Sequence, residues 1–160
     1  MTRYLLDTHI FIWSIKEPTM LSSRLRSELE NYNNVVYLSS VSLMEIAIKN
    51  RDGNLSLGVN MDFASFVSNI DRFGVLLLDI NNRHLVQLNQ LTYPQKRNKD
   101  PFDHKDPFDH LLVSQAITDR LCLISADEKM GYYVGQGLDL CEVKLSGGFA
   151  EIHGVKQKKR

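Results

Sequence analysis

The stretch PFDHLLVSQAITDRLCLISAD, residues 107–127, joins a helical pattern to a short apolar strand and stops on an acid. Asp109, Leu112, Val113 and Ala116 recur at offsets of three, four and seven, which is one stripe of a helix running from Pro107 to Asp119. Leu121–Ser125 (LCLIS) is then almost continuously apolar, as in a strand covered on both faces. Runs of the same kind stand at Arg3–Asp7, Val35–Ser39 and Val75–Asp79, and Leu138–Val143 reads as a fifth strand. Between them lie helical patterns at Ser22–Asn31, Val41–Asn50, Met61–Arg72, Asn81–Leu91 and Asp127–Tyr133. The alternation predicts an α/β chain, a three-layer α/β/α sandwich around a central parallel sheet.

At 160 residues the chain is long enough to bury one core without disulfides or structural metal. Residues 1–144 are expected to form that domain. Residues 145–160, opening on Ser146-Gly147-Gly148, read as a flexible tail. No apolar run approaches the ~20 residues of a spanning helix. The start, MTRYLLDTHIFIW, lacks the features of a secretory signal, so a cytoplasmic address is expected. Cys122 and Cys141 lie in strand-like segments without CxxC spacing and read as buried thiols. The last ten residues hold four of the 19 basic residues and one of the 19 acidic ones, so the rest of the chain is net −3. An acidic body that binds a polyanion needs a neutralising cation.

Ligands of open parallel sheets sit at the carboxyl ends of the strands, and acids recur there. Asp7 ends the first strand and precedes Thr8; Glu45 lies in the helix after the second; Asp127 follows Ser125 after the fourth. Asp109 heads the buried stripe of the helix that begins at Pro107. Each acid also has an ordinary reading. Asp7 and Asp127 could cap helical turns, and Ser42–Glu45 fits a capping box. Taken together, four carboxylates at one end of a sheet repel one another, and a hard divalent cation, Mg²⁺ or Mn²⁺, relieves that repulsion.

Immediately before this helix the hexapeptide KDPFDH occurs twice, at 99–104 and 105–110. In each copy Asp-Pro-Phe-Asp reads as cap, proline at the first helical position, and an acid in the first turn. A helix begun at Pro101 would carry Pro107 in its interior at a cost of ~3 kcal/mol, so the helix should start at Pro107. Asp100 and Asp103 are then loop acids. His9, His104 and His110 show no zinc-ligand spacing; His9 reads as a packed or hydrogen-bonded residue near the site and Trp13 as core.

The segments YLLDTHIFIW (4–13), SSVSLMEIAIKNRDGNLSL (39–57), HKDPFDHLLVSQA (104–116) and LISADEKMGYY (123–133) together resemble the PIN-domain family, specifically the VapC-type toxins of bacterial toxin–antitoxin pairs. The resemblance implies an α/β/α fold and a Mg²⁺- or Mn²⁺-dependent endoribonuclease. It also implies an RNA substrate, a cognate antitoxin protein as partner, and a homodimer. By motif, Asp7, Glu45, Asp109 and Asp127 match the acidic quartet that is both catalytic and metal-binding. Asp106 matches the acid at the helix start, which can sit near the metal, and Thr8 and Ser125 match supporting positions. Two features depart from the pattern: His110 stands where the family usually has Arg, and the DPFD motif is doubled. The alternative is therefore a non-catalytic PIN-like module that binds RNA or an antitoxin, inactivated by the duplication. A phosphoryl-transfer domain using Asp7 as covalent acceptor ranks lower, since no second Asp stands two residues on and no P-loop is present.

Overall fold

The computed structural model describes residues 1–159; Arg160, the end of the basic C-terminus, lies outside the described residues. Strand β1 (Arg3–Leu6) runs parallel between β2 (Val35–Ser39) and β4 (Cys122–Ser125). Strand β3 (Leu76–Leu78) lies outside β2, and β5 (Asp139–Ser146) lies outside β4, both parallel to their neighbours. Strand β6 (Phe149–Lys156) closes the far edge antiparallel to β5, giving the order β3-β2-β1-β4-β5-β6. The expected α/β/α sandwich is therefore built on a mostly parallel sheet with one antiparallel edge.

Period-two alternation sorts the strand residues into two cores. Leu5 and Leu123 point into one, with Leu112 and Val113 of α6 (Pro107–Asp119) and Tyr133. Leu6 and Ile124 point into the other, with Ile10 and Phe11 of α1 (Thr8–Lys16), Leu25 of α2 (Ser23–Glu30) and Phe66 of α4 (Phe63–Ser68). All of these side chains are fully or almost fully buried, and each such leucine or phenylalanine contributes roughly 1.5–3 kcal/mol. Helix α3 (Ser40–Arg51) reaches both cores, sending Val41 to one and Ile46 to the other, so it sits across the end of β2. Helix α5 (Asn82–Gln90) packs on α6, where buried His84 Nε2 lies 2.8 Å from Asp119 Oδ2. Cys122 and Cys141 are buried free thiols.

Helix α6 begins at Pro107 as the proline argument requires, with Asp106 Oδ1 accepting from the Phe108 N–H at 2.8 Å. Four elements differ from expectation. Thr8–Lys16 is a helix where the sequence shows no helical pattern; its β-branched and aromatic residues carry weak helix propensity, and burial of Ile10 and Phe11 overrides it. The single helix expected over Met61–Arg72 breaks at Asn69 into α4 and a 3₁₀ turn, Ile70–Phe73. Leu76 and Leu77 are exposed because β3 is an edge strand, covered on fewer sides than its apolar run suggests.

The fourth correction concerns the C-terminal segment. The sequence predicts a loose tail over 145–160, yet β6 pairs with β5 from Ser146↔Phe149 to Leu140↔Lys156 and buries Ala150 completely. Gly147 (φ 59°) and Gly148 (φ 84°) form a two-residue turn with both φ positive, the geometry that a twisted hairpin prefers. Gly148→Val forces a branched side chain into the left-handed region and should cost about 1–2 kcal/mol. A lower denaturation midpoint at unchanged slope is the expected result; an unmoved midpoint would show that β6 adds nothing to the folded state.

Candidate metal centre

The chain passes from β1 to β2 and β3 on one side of the sheet, then crosses to β4 on the other side of β1. A crevice opens where the order reverses, at the carboxyl ends of β1 and β4. Asp7, Glu45, Asp109 and Asp127 all line one cleft of about 460 Å³ at this place. Asp7 has the backbone of a helix cap for α1 but makes no side-chain capping bond. Its Oδ2 instead accepts from Ser125 Oγ at 2.6 Å, and its N–H donates to the Ile124 carbonyl. The capping reading of Asp7 therefore gives way to a tether between two strand ends.

Glu45 is not part of a capping box either. Helix α3 starts at Ser40, capped by Ser39, whose Oγ accepts from the Val41 N–H. Ser42 is buried inside the helix, with Oγ 2.8 Å from Thr8 Oγ1. Thr8 Oγ1 also donates to Glu45 Oε1 at 3.0 Å, which points that carboxylate at the end of β1. Asp127 does both jobs: Oδ1 caps the 3₁₀ segment Glu128–Gln136 by accepting from the Lys129 N–H, while Oδ2 faces the cleft. Its own N–H donates to Ser125 Oγ at 3.1 Å, so one hydroxyl links Asp7 to Asp127.

Asp109 lies in the first turn of α6, and its Oδ2 is 2.9 Å from His104 Nε2. The doubled hexapeptide thus does not displace Asp109 from the other three acids. Asp100 and Asp103 behave as loop acids, accepting from the Gln95 and Lys96 N–H groups. Asp106 is exposed, spends its side chain on the helix cap and does not line the cleft.

Three residues at the site escaped the sequence reading. His104 is 4% exposed and stands 3.9 Å from Asp127 Oδ2 as well as beside Asp109; its signal, an i to i+5 spacing across a proline, matches no metal-ligand pattern. Lys49 lies one helical turn after Glu45 and reaches the cleft. Trp13 lines the mouth while packing against the core, and exposed His9 meets it edge-on with ring centroids 4.4 Å apart.

Burial pushes the Asp7 carboxyl up to about 6, against the pull of the Ser125 hydroxyl and with help from the nearby Asp109 and Asp127 charges. Burial also raises Glu45, as do Asp7 and Asp109, while Thr8 and Lys49 hold it down. Ligand atoms of His104, Asp109 and Asp127 all lie within 4.8 Å of one another, close enough to surround one ion. A cluster of oxygen donors in which Asp7 and Glu45 are raised by burial first and like charge second fits a hard divalent cation, with Asp7, Glu45, Asp109 and Asp127 as the residues that would hold it.

The PIN domain family model matches residues 4–134, most of the chain, and the protein belongs to the PIN-domain family. VapBC2 from Rickettsia felis, solved bound to a DNA fragment from its promoter, superposes with a TM-score of 0.62 at 19% identity, covering 87% of this chain and 97% of that one. VapBC-1 from nontypeable Haemophilus influenzae gives a TM-score of 0.56 at 19% identity over 88% and 98% of the two chains. VapBC-5 from Mycobacterium tuberculosis gives 0.55 at 15% identity over 89% and 100%. At these identities the likeness establishes the fold. No curated protein sequence matches the chain.

The raised Asp7 has a pH consequence of definite sign. Its folded pKa of about 6 lies above the ordinary 3.8, so the stability linked to its proton is complete below about 4 and is lost as pH rises through 6. Asp7→Asn removes that penalty while keeping an acceptor for Ser125. In EDTA it should stabilise the fold by about 1–3 kcal/mol near pH 7.5, and by almost nothing near pH 4. Denaturant unfolding of both proteins at the two pH values tests this; a destabilised variant at pH 7.5 would refute the buried-charge account.

Proposed function

We propose that this PIN-domain protein is a metal-dependent endoribonuclease, the toxin of a toxin–antitoxin pair, hydrolysing RNA phosphodiester bonds with Mg²⁺ or Mn²⁺. The observation that carries the reading is the convergence of Asp7, Glu45, Asp109 and Asp127 on one crevice, with the partly buried Asp7 raised to about 6. A bound cation would supply Lewis acidity to the scissile phosphate and lower the pKa of an attacking water. The protein's own share is to hold the donors. Ser125 fixes Asp7 relative to Asp127, Thr8 fixes Glu45, and the Glu128–Gln136 segment carries Asp127 at its start. No side chain is required as nucleophile.

Other features at the cleft suit RNA. Lys49 offers a positive charge for a phosphate, and Trp13 and His9, edge-on to each other at the mouth, offer aromatic surface for contact with unpaired bases. An antitoxin partner is inferred from the VapBC complexes that share the fold. Exposed Leu76 and Leu77 on β3 and Leu85 and Val86 on α5 supply apolar surface for protein contact, in keeping with a homodimer and an antitoxin. Among the described residues no helix is long and apolar enough to cross a membrane. The cytoplasmic address belongs to the reading as the place of its RNA substrate. The inactive-module alternative loses its main support, because the duplication leaves Asp109 in the cleft.

Purified antitoxin-free protein should cut members of an RNA panel that includes structured tRNAs, in Mn²⁺ or Mg²⁺ and not in EDTA. Asp7→Asn should lower the rate by about 10²–10⁴-fold while remaining folded, since the cation contributes several kcal/mol of charge stabilisation. Cleavage that survives EDTA, or survives Asp7→Asn, would overturn the reading.

A further inference from the structure

The two copies of KDPFDH each end in a histidine, and neither histidine is accounted for by the four acids. Both are buried: His104 is 4% exposed and His110 is 8% exposed. Burying an imidazole without partners is costly, so its contacts are informative. His104 is held at every polar atom it has. Its N–H donates to the Pro94 carbonyl at 3.1 Å, and its carbonyl accepts from His110 Nε2 at 2.6 Å. On the ring, Nδ1 is 2.7 Å from the Tyr133 hydroxyl and Nε2 is 2.9 Å from Asp109 Oδ2. An ionised carboxylate can only accept, so Nε2 carries the proton and donates to Asp109, and Nδ1 shares its hydrogen bond with the Tyr133 hydroxyl.

That chain, Tyr133 to His104 to Asp109, runs through buried surroundings into the cleft. Tyr133 is fully buried and belongs to the segment that Asp127 caps, so the same segment supports two of the four acids. Among the described residues, the bond from His104 is the only hydrogen bond to the Asp109 carboxylate. Asp7, Glu45 and Asp127 each have a partner of their own: Ser125, Thr8 and the Lys129 N–H. His104 fills the corresponding place for the fourth acid.

We propose that His104, delivered by the first copy of the duplicated hexapeptide, is the positioning residue of Asp109: its Nε2–H holds Oδ2 so that the other oxygen is turned to the cation. The role rests on the reading of the four acids as a cation site, but it assigns no ligand bond to the ring. It also gives the duplication a use. Because the copies are identical, deleting either one leaves the same chain, with Asn98 in the place before KDPFDH that His104 now holds. An asparagine amide reaches only about as far as Nδ1 of an imidazole, too short to replace the Nε2–H.

The test is Mn²⁺ affinity, measured by titration calorimetry and by electron paramagnetic resonance on folded protein. His104→Ala should weaken binding about 10–100-fold, the usual loss when the partner of a metal-ligating group is removed. His104→Gln, whose amide N–H sits near the position of Nε2–H, should recover affinity to within a few-fold of wild type. Tyr133→Phe leaves the donor to Asp109 but unlocks the ring, and should fall between the two. The single-copy chain should behave like His104→Ala. Absence of Mn²⁺ binding in the wild type would sink the cation reading and this role with it. Normal binding in the wild type and unchanged binding in His104→Ala would sink the positioning role alone. Tighter binding in His104→Ala or in the single-copy chain would likewise overturn it. So would a Gln variant as weak as Ala, or spin-echo modulation from an imidazole nitrogen bound directly to Mn²⁺.

Discussion

The 2.6 Å hydrogen bond from Ser125 Oγ to Asp7 Oδ2 ties the end of β4 to the end of β1, at the place where the sheet changes direction. That bond takes the Asp7 side chain away from the cap it could have made on α1 and turns it into the crevice. Burial then raises the carboxyl to about 6, and the charges on Asp109 and Asp127 add to the shift. The metal-free fold carries this as a standing penalty. It is tolerated because the two cores on either face of the sheet, each with several fully buried large side chains, hold the strand ends in register.

Around that bond the acids are held separately rather than by one another. Ser125 serves Asp7 and the backbone of Asp127; Thr8, at the start of α1, serves Glu45 on α3; His104 serves Asp109 on α6. Direct pairing between carboxylates would require one to take up a proton and would leave a poorer cation site. Hydroxyl, backbone and imidazole donors on neighbouring elements fix the oxygens one by one. A site of this construction depends on the sheet order, because Asp7, Glu45 and Asp127 follow β1, its neighbour β2 on one side and its neighbour β4 on the other.

The sheet and most helices were legible because their signals are local: continuous apolar runs for β1, β2 and β4, and a proline clash that leaves Pro107 as the start of α6. Helix α1 was not legible, since Thr8–Lys16 has strand-like composition and is helical only because Ile10 and Phe11 find a core to fill. The β5–β6 hairpin was signalled by Gly147-Gly148, but a glycine pair reads as a loose linker when the next segment, FAEIHGVK, lacks clean alternation. At the site, the four acids were visible as residues placed after strands. Their holders were visible only where they lie beside a motif, as Thr8 and Ser125 do. His104 acts across a proline-containing turn, and no periodicity of helix or strand marks that pairing.

The duplicated hexapeptide shows how little of a local structure is written in six residues. Both copies carry the same cap, proline and first-turn acid, yet only the second starts a helix. The difference lies in the downstream residues: Pro107 is succeeded by an apolar stripe, with Leu112, Val113 and Ala116 buried, whereas Pro101 is succeeded by another proline six residues on. The first copy therefore closes as a loop, its own aspartates accepting from Gln95 and Lys96 and its last N–H returning to Pro94. Lengthening a loop costs little, only ~0.6 kcal/mol for each doubling, and here the added polar groups find partners within the loop. The insertion is absorbed where the chain was already turning, and its final residue lands on Asp109 because the helix start at Pro107 fixes both the acid and the direction from which the loop arrives.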